Sequence, residues 1–249
     1  MNTKGFFITG TDTEVGKTLI AGALILKLQD MGQKTIGFKP VAAGLKEVDG
    51  KLLNDDIETL LKISRFVNPV LNEHDICPFI LHEPAAPHLV AKKLGIFLDP
   101  KVMLEGYKRI LTKAESVVVE GAGGFLVPVN EKYTLGDFAK ELNLPVILVV
   151  NIKLGCINHA LLSIEAIQSK GLSVFGWVAN LSQKASEYST ENIESLERIL
   201  QLNYGVSLIG KIPFLEDLKS GGLYSDECLT WLSNIFIYRL TSNCNFWSN

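Results

Sequence analysis

A chain of 249 residues, 47% hydrophobic and 20% charged, has the make-up of an ordinary globular protein with a full core. A net charge of −3 gives no basic excess, so neither nucleic acid nor an anionic membrane is indicated as a partner. Four cysteines and four histidines are scattered without a Cys-x-x-Cys pair, which argues against a zinc site and for buried thiols in a reducing, cytoplasmic setting.

The first apolar run, residues 6–9, is too short for a signal-peptide core and reads as a strand. Residues 18–31 carry apolar side chains at helical period, and Gly32 follows as a stop. A short strand is expected at 35–38, then helices at 55–64 and 99–112, the latter with Pro100 in its first turn. Strand 116–120 contains three consecutive valines and ends at Glu120, before Gly121-Ala122-Gly123-Gly124, which reads as a glycine loop. The alternation continues with helix 137–142, strand 145–150, helix 158–170, strand 172–179, helix 191–202 and strand 207–212. Valine-rich strands without polar alternation are covered on both faces, which is the pattern of parallel sheets. The expected fold is therefore α/β: a doubly wound, mostly parallel sheet of the P-loop NTPase type, in a single domain over residues 1–217. Residues 218–249 read as a C-terminal segment, with a packed helix at 229–240 and a frayed polar tail.

Gly10-Thr11-Asp12-Thr13-Glu14-Val15-Gly16-Lys17-Thr18 joins the first strand to the first helix. Its Gly-Lys-Thr ending is the working end of a phosphate loop. Backbone N–H groups and the helix N-terminus cradle phosphate, Lys17 adds a point charge, and the Thr18 hydroxyl is placed for Mg²⁺. Five residues rather than four separate Gly10 from Gly16, so the usual pattern is met by context more than by spacing. A second oxygen ligand is expected at a strand end, and Glu120 holds that position. Asp55 and Asp56 open a helix, where an acidic residue is ordinarily a cap; one of them is a candidate metal ligand. Lys39 follows the second strand, at the carboxyl edge where ligands bind, and Pro40 keeps it extended.

Taken in order, the chain resembles the dethiobiotin synthetase family. The motifs are Gly10 to Thr18, Lys39-Pro40-Val41-Ala42, Asn54-Asp55-Asp56, Glu83-Pro84 with Pro87-His88, Glu120 to Gly124, Lys153-Leu154-Gly155-Cys156-Ile157-Asn158-His159, Gly176-Trp177-Val178-Ala179-Asn180 and Ile212-Pro213. The resemblance spans about residues 5–216. It implies an ATP- and Mg²⁺-dependent ring closure of 7,8-diaminopelargonic acid with CO₂, through a carbamate and a mixed carbamic-phosphoric anhydride. It also implies roles. Glu14, Val15, Gly16, Lys17 and Thr18 with Gly123 hold the nucleotide, Asn180 and Pro213 meet its base, and Thr18, Asp56 and Glu120 hold the metal. Lys17 and Lys39 are catalytic. Thr13, Lys39 and Ala43, with Gly155, Cys156 and Asn158, meet the diamine. Asn158 would cap the helix that takes the substrate carboxylate, and a homodimer would complete the site. The family usually has serine where this chain has Ala43. A partitioning-type ATPase switch is the alternative from another class, although those loops carry an extra lysine where this chain has Asp12. A cobyrinic-acid-type amide synthase shares the metal logic but needs a glutaminase domain after residue 217.

Overall fold

The computed structural model describes residues 5–184, 186–215 and 225–236. In chain order the elements are β1 (Gly5–Gly10), α1 (Lys17–Asp30), β2 (Thr35–Phe38), β3 (Val41–Ala43), β4 (Lys46–Val48), β5 (Lys51–Leu53), α2 (Asp55–Ser64), α3 (Glu73–Ile76), β6 (Phe79–Leu81), α4 (Pro87–Leu94), α5 (Pro100–Leu111), β7 (Ser116–Gly124), α6 (Leu135–Leu142), β8 (Val146–Asn151), α7 (Cys156–Ser169), β9 (Val174–Asn180), α8 (Ser189–Tyr204), β10 (Leu208–Ile212) and α9 (Asp226–Ser233).

Among the described residues the main sheet has six strands in the order β10-β9-β8-β1-β7-β2, all parallel. Every residue of β1, β2 and β8 is buried, as strands covered on both faces must be. The chain leaves β1 for β2, returns to β7 between them, then crosses to β8 on the other side of β1. The direction of winding therefore reverses at β1, and the crevice beyond its carboxyl end is where doubly wound sheets bind ligands. One core gathers around β1, β7, α1 and α6, with Phe6, Phe7, Phe38 and Phe138 buried in it. A second lies between β8, β9, α7 and α8 around the buried Trp177. Among the described residues no helix is long and apolar enough to cross a membrane.

Several local features differ from the sequence expectation. β7 does not stop at Glu120 but continues to Gly124, where it pairs with Gly10 after a register shift opposite β1. Glycines let these two backbones run side by side. A Cβ at Gly121 would already stand 3.3 Å from the Ile8 carbonyl. Two small pairings also escape the periodicity: β3 with β6, parallel, and β4 with β5, antiparallel. The second is a hairpin turned by Asp49 and Gly50, both with positive φ, as a tight Asp-Gly turn requires. Toward the C-terminus, Leu229 of α9 lies over Gly22 of α1, so close that a Cβ at Gly22 would meet it at 3.1 Å. The expected boundary near residue 217, the last part of the expected helix at 237–240 and the polar tail after it lie outside the described residues.

Asn54 joins the hairpin to α2. Its Oδ1 accepts from the Asp56 and Ile57 N–H groups at 3.1 and 3.2 Å, and its Nδ2 donates to the Gly44 carbonyl at 2.7 Å. One side chain thus caps a helix and closes the ten-residue excursion that precedes it. Asn54→Ala is expected to cost about 1–3 kcal/mol of stability, the cap and one further hydrogen bond together. Asn54→Asp, which keeps the cap oxygen but loses the donor, should cost less. Chemical denaturation of the two variants checks the order.

Candidate active site

The loop after β1 is pinned at its start, where the Thr11 N–H donates to the Val149 carbonyl at 3.0 Å. The Asp12 carboxylate accepts the Thr13 N–H at 2.8 Å, and the Lys17 ammonium folds back to the Asp12 carbonyl at 2.9 Å. Glu14 takes φ 57° and Gly16 φ 94°, turning the backbone so that the loop runs into α1. A side chain at Gly16 would also strike Asn180 Nδ2, at 2.4 Å from its Cβ. That nitrogen donates to the Val15 carbonyl at 2.8 Å, so Asn180, at the end of β9, staples the loop from outside. Val15 is buried, whereas Thr13 and Glu14 are exposed at the tip. Gly123 (φ 61°) comes to the same tip: its Cβ position is 3.5 Å from Thr13 Oγ1.

Thr18, Asp56, Glu120 and Lys39, from four separate segments, meet beneath this loop. Thr18 Oγ1 lies 2.5 Å from Asp56 Oδ1 and 2.8 Å from Glu120 Oε1. Lys39 Nζ lies 2.8 Å from the same Glu120 Oε1, 2.9 Å from Asp56 Oδ2 and 3.4 Å from the Gly121 carbonyl. Glu120 Oε2 is buried without a hydrogen-bond partner. Asp56, not Asp55, enters the cluster; Asp55 is exposed and pairs with Lys46 at 2.5 Å. Neither aspartate is the helix cap, because Asn54 has that place.

Burial strips water from Lys39 and Glu120 and from much of the half-buried Asp56, and the pKa directions show which partners compensate. Lys39 would be pushed down by burial, but Glu120 and Asp56 outweigh it and hold its ammonium well above the usual range. Burial opposes charge on Asp56 too, yet Lys39 and the Thr18 hydroxyl keep its carboxyl below the usual carboxylate value. Glu120 is raised: its complete burial and the Asp56 charge outweigh the attraction of Lys39. Thr18 has one hydroxyl proton to offer two carboxylates, and one carboxylate oxygen is bare. Hard oxygens short of positive charge are the donor set of a small divalent cation such as Mg²⁺, so the residues fit it.

The remaining expected residues fall around this centre. Ala43 ends β3 and is half-buried, packed against the main core. Pro213 is exposed directly after β10, whose Ile212 pairs with Asn180. Gly155 precedes α7 with φ 90°. The helix begins at Cys156, so Asn158 lies in its first turn and is not its cap, contrary to the sequence expectation. Gly155 is the N-cap and offers no side chain. The Cys156 side chain is buried, and its N–H is used by the Lys153 carbonyl at 3.0 Å. First-turn N–H groups of a helix, here those of Ile157 and Asn158, have no carbonyl partner within it. Next to them, Leu154 is 97% exposed.

A family model described as an AAA domain matches residues 4–221. An ATP-dependent dethiobiotin synthetase BioD of Aromatoleum aromaticum is 41% identical over 210 residues, which is 84% of this chain and 90% of that protein. The chain belongs to the ATP-dependent dethiobiotin synthetase family. It is accordingly an ATP-dependent ligase. The fold has more distant company. The MinD cell division protein of Aquifex aeolicus, in its MinC:MinD complex, superposes with a TM-score of 0.57 at 13% identity over 96% of both chains. A ParA family ATPase of Chlorobium tepidum gives 0.56 at 16% identity, covering 94% of this chain and 97% of its own. These likenesses establish a P-loop NTPase-like fold, as the sequence pattern implied.

Within the synthetase site, sequence reasoning missed the ion contact of the loop itself. Asp12 Oδ2 lies 3.5 Å from Lys153 Nζ, joining the phosphate loop to the segment before α7. The pairing spans 141 residues and leaves no local pattern. Lys17 carries a second signal that only burial reveals: loss of water, with repulsion from Lys39, lowers its pKa to about 8. Phosphate oxygens would restore it. Because the free-protein value is the depressed one, protons are taken up on nucleotide binding above about pH 8 and not well below it. Calorimetry in buffers of different ionisation heat should show uptake approaching about one proton near pH 9 and little at about pH 6.5. Uptake independent of pH would remove Lys17 from the phosphate site.

Proposed function

We propose that this chain makes the ureido ring of dethiobiotin from 7,8-diaminopelargonic acid, CO₂ and ATP. The observation that carries the reading is the buried meeting of Lys17, Thr18, Lys39, Asp56 and Glu120 under one phosphate loop, in a chain of this family. One amine of the diamine adds to CO₂ and loses a proton, giving a carbamate. A carbamate oxygen attacks the γ-phosphorus of ATP and ADP leaves, giving the mixed anhydride. The second amine attacks the carbamoyl carbon, the ring closes, phosphate leaves and a proton is released.

The residues suit that order of events. The reactants are small, so positioning is the main task. Lys17 and the loop N–H groups hold the phosphates, while Lys39 offsets charge on the carbamate. Mg²⁺ held by Thr18, Asp56 and Glu120 would neutralise the transferring phosphoryl oxygens. Asn180 uses one N–H of its amide on Val15, which leaves its oxygen to accept from an exocyclic amine such as adenine's and its second N–H to donate, with Pro213 beside the base. Thr13 and Ala43 would face the diamine. The N–H groups at the start of α7 suit its carboxylate. Leu154, just before that helix, at 97% exposure and Leu162 within it at 57% offer apolar surface for a second copy of the chain, which supports a homodimer whose interface completes the site.

ATP consumption tests the reading. It should require both the diamine and bicarbonate, and Lys17→Ala should lower it by on the order of 100-fold or more with the fold intact. Steady hydrolysis without the diamine, stimulated instead by DNA or lipid, would point to a switch ATPase.

Ala43 tests the diamine side separately. A serine hydroxyl there would add one neutral hydrogen bond, about 0.5–1.5 kcal/mol or roughly 2- to 13-fold in affinity. Ala43→Ser is expected to lower KM for the diamine by up to that factor and leave KM for ATP unchanged. A changed KM for ATP would show that Ala43 does not face the diamine.

A further inference from the structure

Four polar contacts link Thr18 and Lys39 to Asp56 and Glu120, and they share atoms. Lys39 Nζ and Thr18 Oγ1 both lie 2.8 Å from one atom, Glu120 Oε1. They divide Asp56 between them, Thr18 on Oδ1 and Lys39 on Oδ2. Lys39 therefore sits against both carboxylates that a metal would use, at about the distance of a charge-assisted hydrogen bond to each. Only Glu120 Oε2 is left bare. Lys39 and Glu120 are both fully enclosed, so the ion pair is unscreened by water, and neither charge tolerates being left alone.

We propose that Lys39 is an internal stand-in for the metal: in the nucleotide-free protein its ammonium neutralises Asp56 and Glu120, and entry of the metal with the nucleotide releases it toward the carbamate. A divalent cation placed among Thr18, Asp56 and Glu120 takes over the neutralisation of both carboxylates and repels the ammonium. The lysine stem has four rotatable carbons and need not leave the pocket; the Gly121 carbonyl, 3.4 Å from Nζ, is a partner already at hand on the side toward the glycine segment. The same cation thus serves two states. Before loading it keeps the buried carboxylates from standing uncompensated. After loading it is available for the substrate, so carbamate is stabilised only where a metal-bound nucleotide waits. The second half rests on the function proposed above; the first does not.

The test reads binding rather than turnover. Mn²⁺ titrated into the nucleotide-free protein, followed by electron paramagnetic resonance, should bind weakly to the wild type and at least about tenfold more tightly to Lys39→Gln, in which an amide donor remains for Glu120 but the competing charge is gone. Lys39→Arg, which keeps the charge, should not gain affinity. Equal or weaker Mn²⁺ binding by folded Lys39→Gln overturns the proposal. A measurement on the wild type holds whether or not the variant folds. The ¹⁵N signal of the Lys39 ammonium should move when Mg²⁺ and ADP are added together and stay in place with ADP alone. If Mg²⁺ and ADP bind while that signal is unmoved, the stand-in idea fails and the synthetase reading survives. If Mg²⁺ and ADP do not bind at all, the synthetase reading itself fails.

Discussion

A carboxylate and an ammonium enclosed away from water, Glu120 and Lys39, with the half-buried Asp56 beside them, constrain this molecule more than any other group of contacts. Moving a charge from water into an interior is costly, and removing one partner of a buried pair leaves the other uncompensated. Glu120, Asp56 and Lys39 reach the cluster from β7, the start of α2 and the end of β2. Thr18 joins them from the first turn of α1. For those four side chains to meet, β7 must lie next to β1, β2 must lie outside β7, and α2 must return to the same edge. The observed strand order meets each of these conditions. The winding reversal at β1 is thus tied to the electrostatics of the site as well as to the packing of apolar strands.

The parts of the fold legible in the sequence were those with a strong local period. The six main strands were read from apolar runs, since burial on both faces writes itself into consecutive valines such as Val117 to Val119. Helices with a capping residue or a stop were read to within a few positions. The short pieces β3, β4, β5, α3, β6 and α4 were missed, being three to eight residues long and stabilised by neighbours rather than by pattern. The ends of elements were also misjudged where a glycine was ambiguous. Gly121 to Gly124 read as a loop, yet the partner backbone of β1 keeps them in a strand. The helix read as 158–170 with Asn158 as its cap starts instead at Cys156, capped by Gly155.

For the site, Lys17 and Thr18 were visible from the Gly-Lys-Thr ending of the loop, and Lys39 and Glu120 from their places at strand ends. Choosing Asp56 over Asp55 was not a matter of spacing, since both open the same helix. The structure separates them by direction, one inward to Thr18 and Lys39, the other outward to Lys46. What the sequence could not express was sharing. That Lys39 and Thr18 address one oxygen of Glu120, or that Asn180 holds Val15, depends on distances between segments far apart in the chain.

The hairpin of β4 and β5 has a consequence for how this protein can be altered. Its base is tied off by Asn54, which bonds Gly44 on one side and the first turn of α2 on the other. Most of its residues, including Val48 and the turn at Asp49 and Gly50, lie in solvent. The excursion is joined to the start of α2 at its base, by Asn54 and by the Lys46–Asp55 pair, and lengthening the turn adds chain beyond both. Loops that are closed at the root accept insertions at small entropic cost. A reporter peptide spliced between Asp49 and Gly50 would ride on the outside of the enzyme, within a few residues of Asp56 but beyond the Asn54 root.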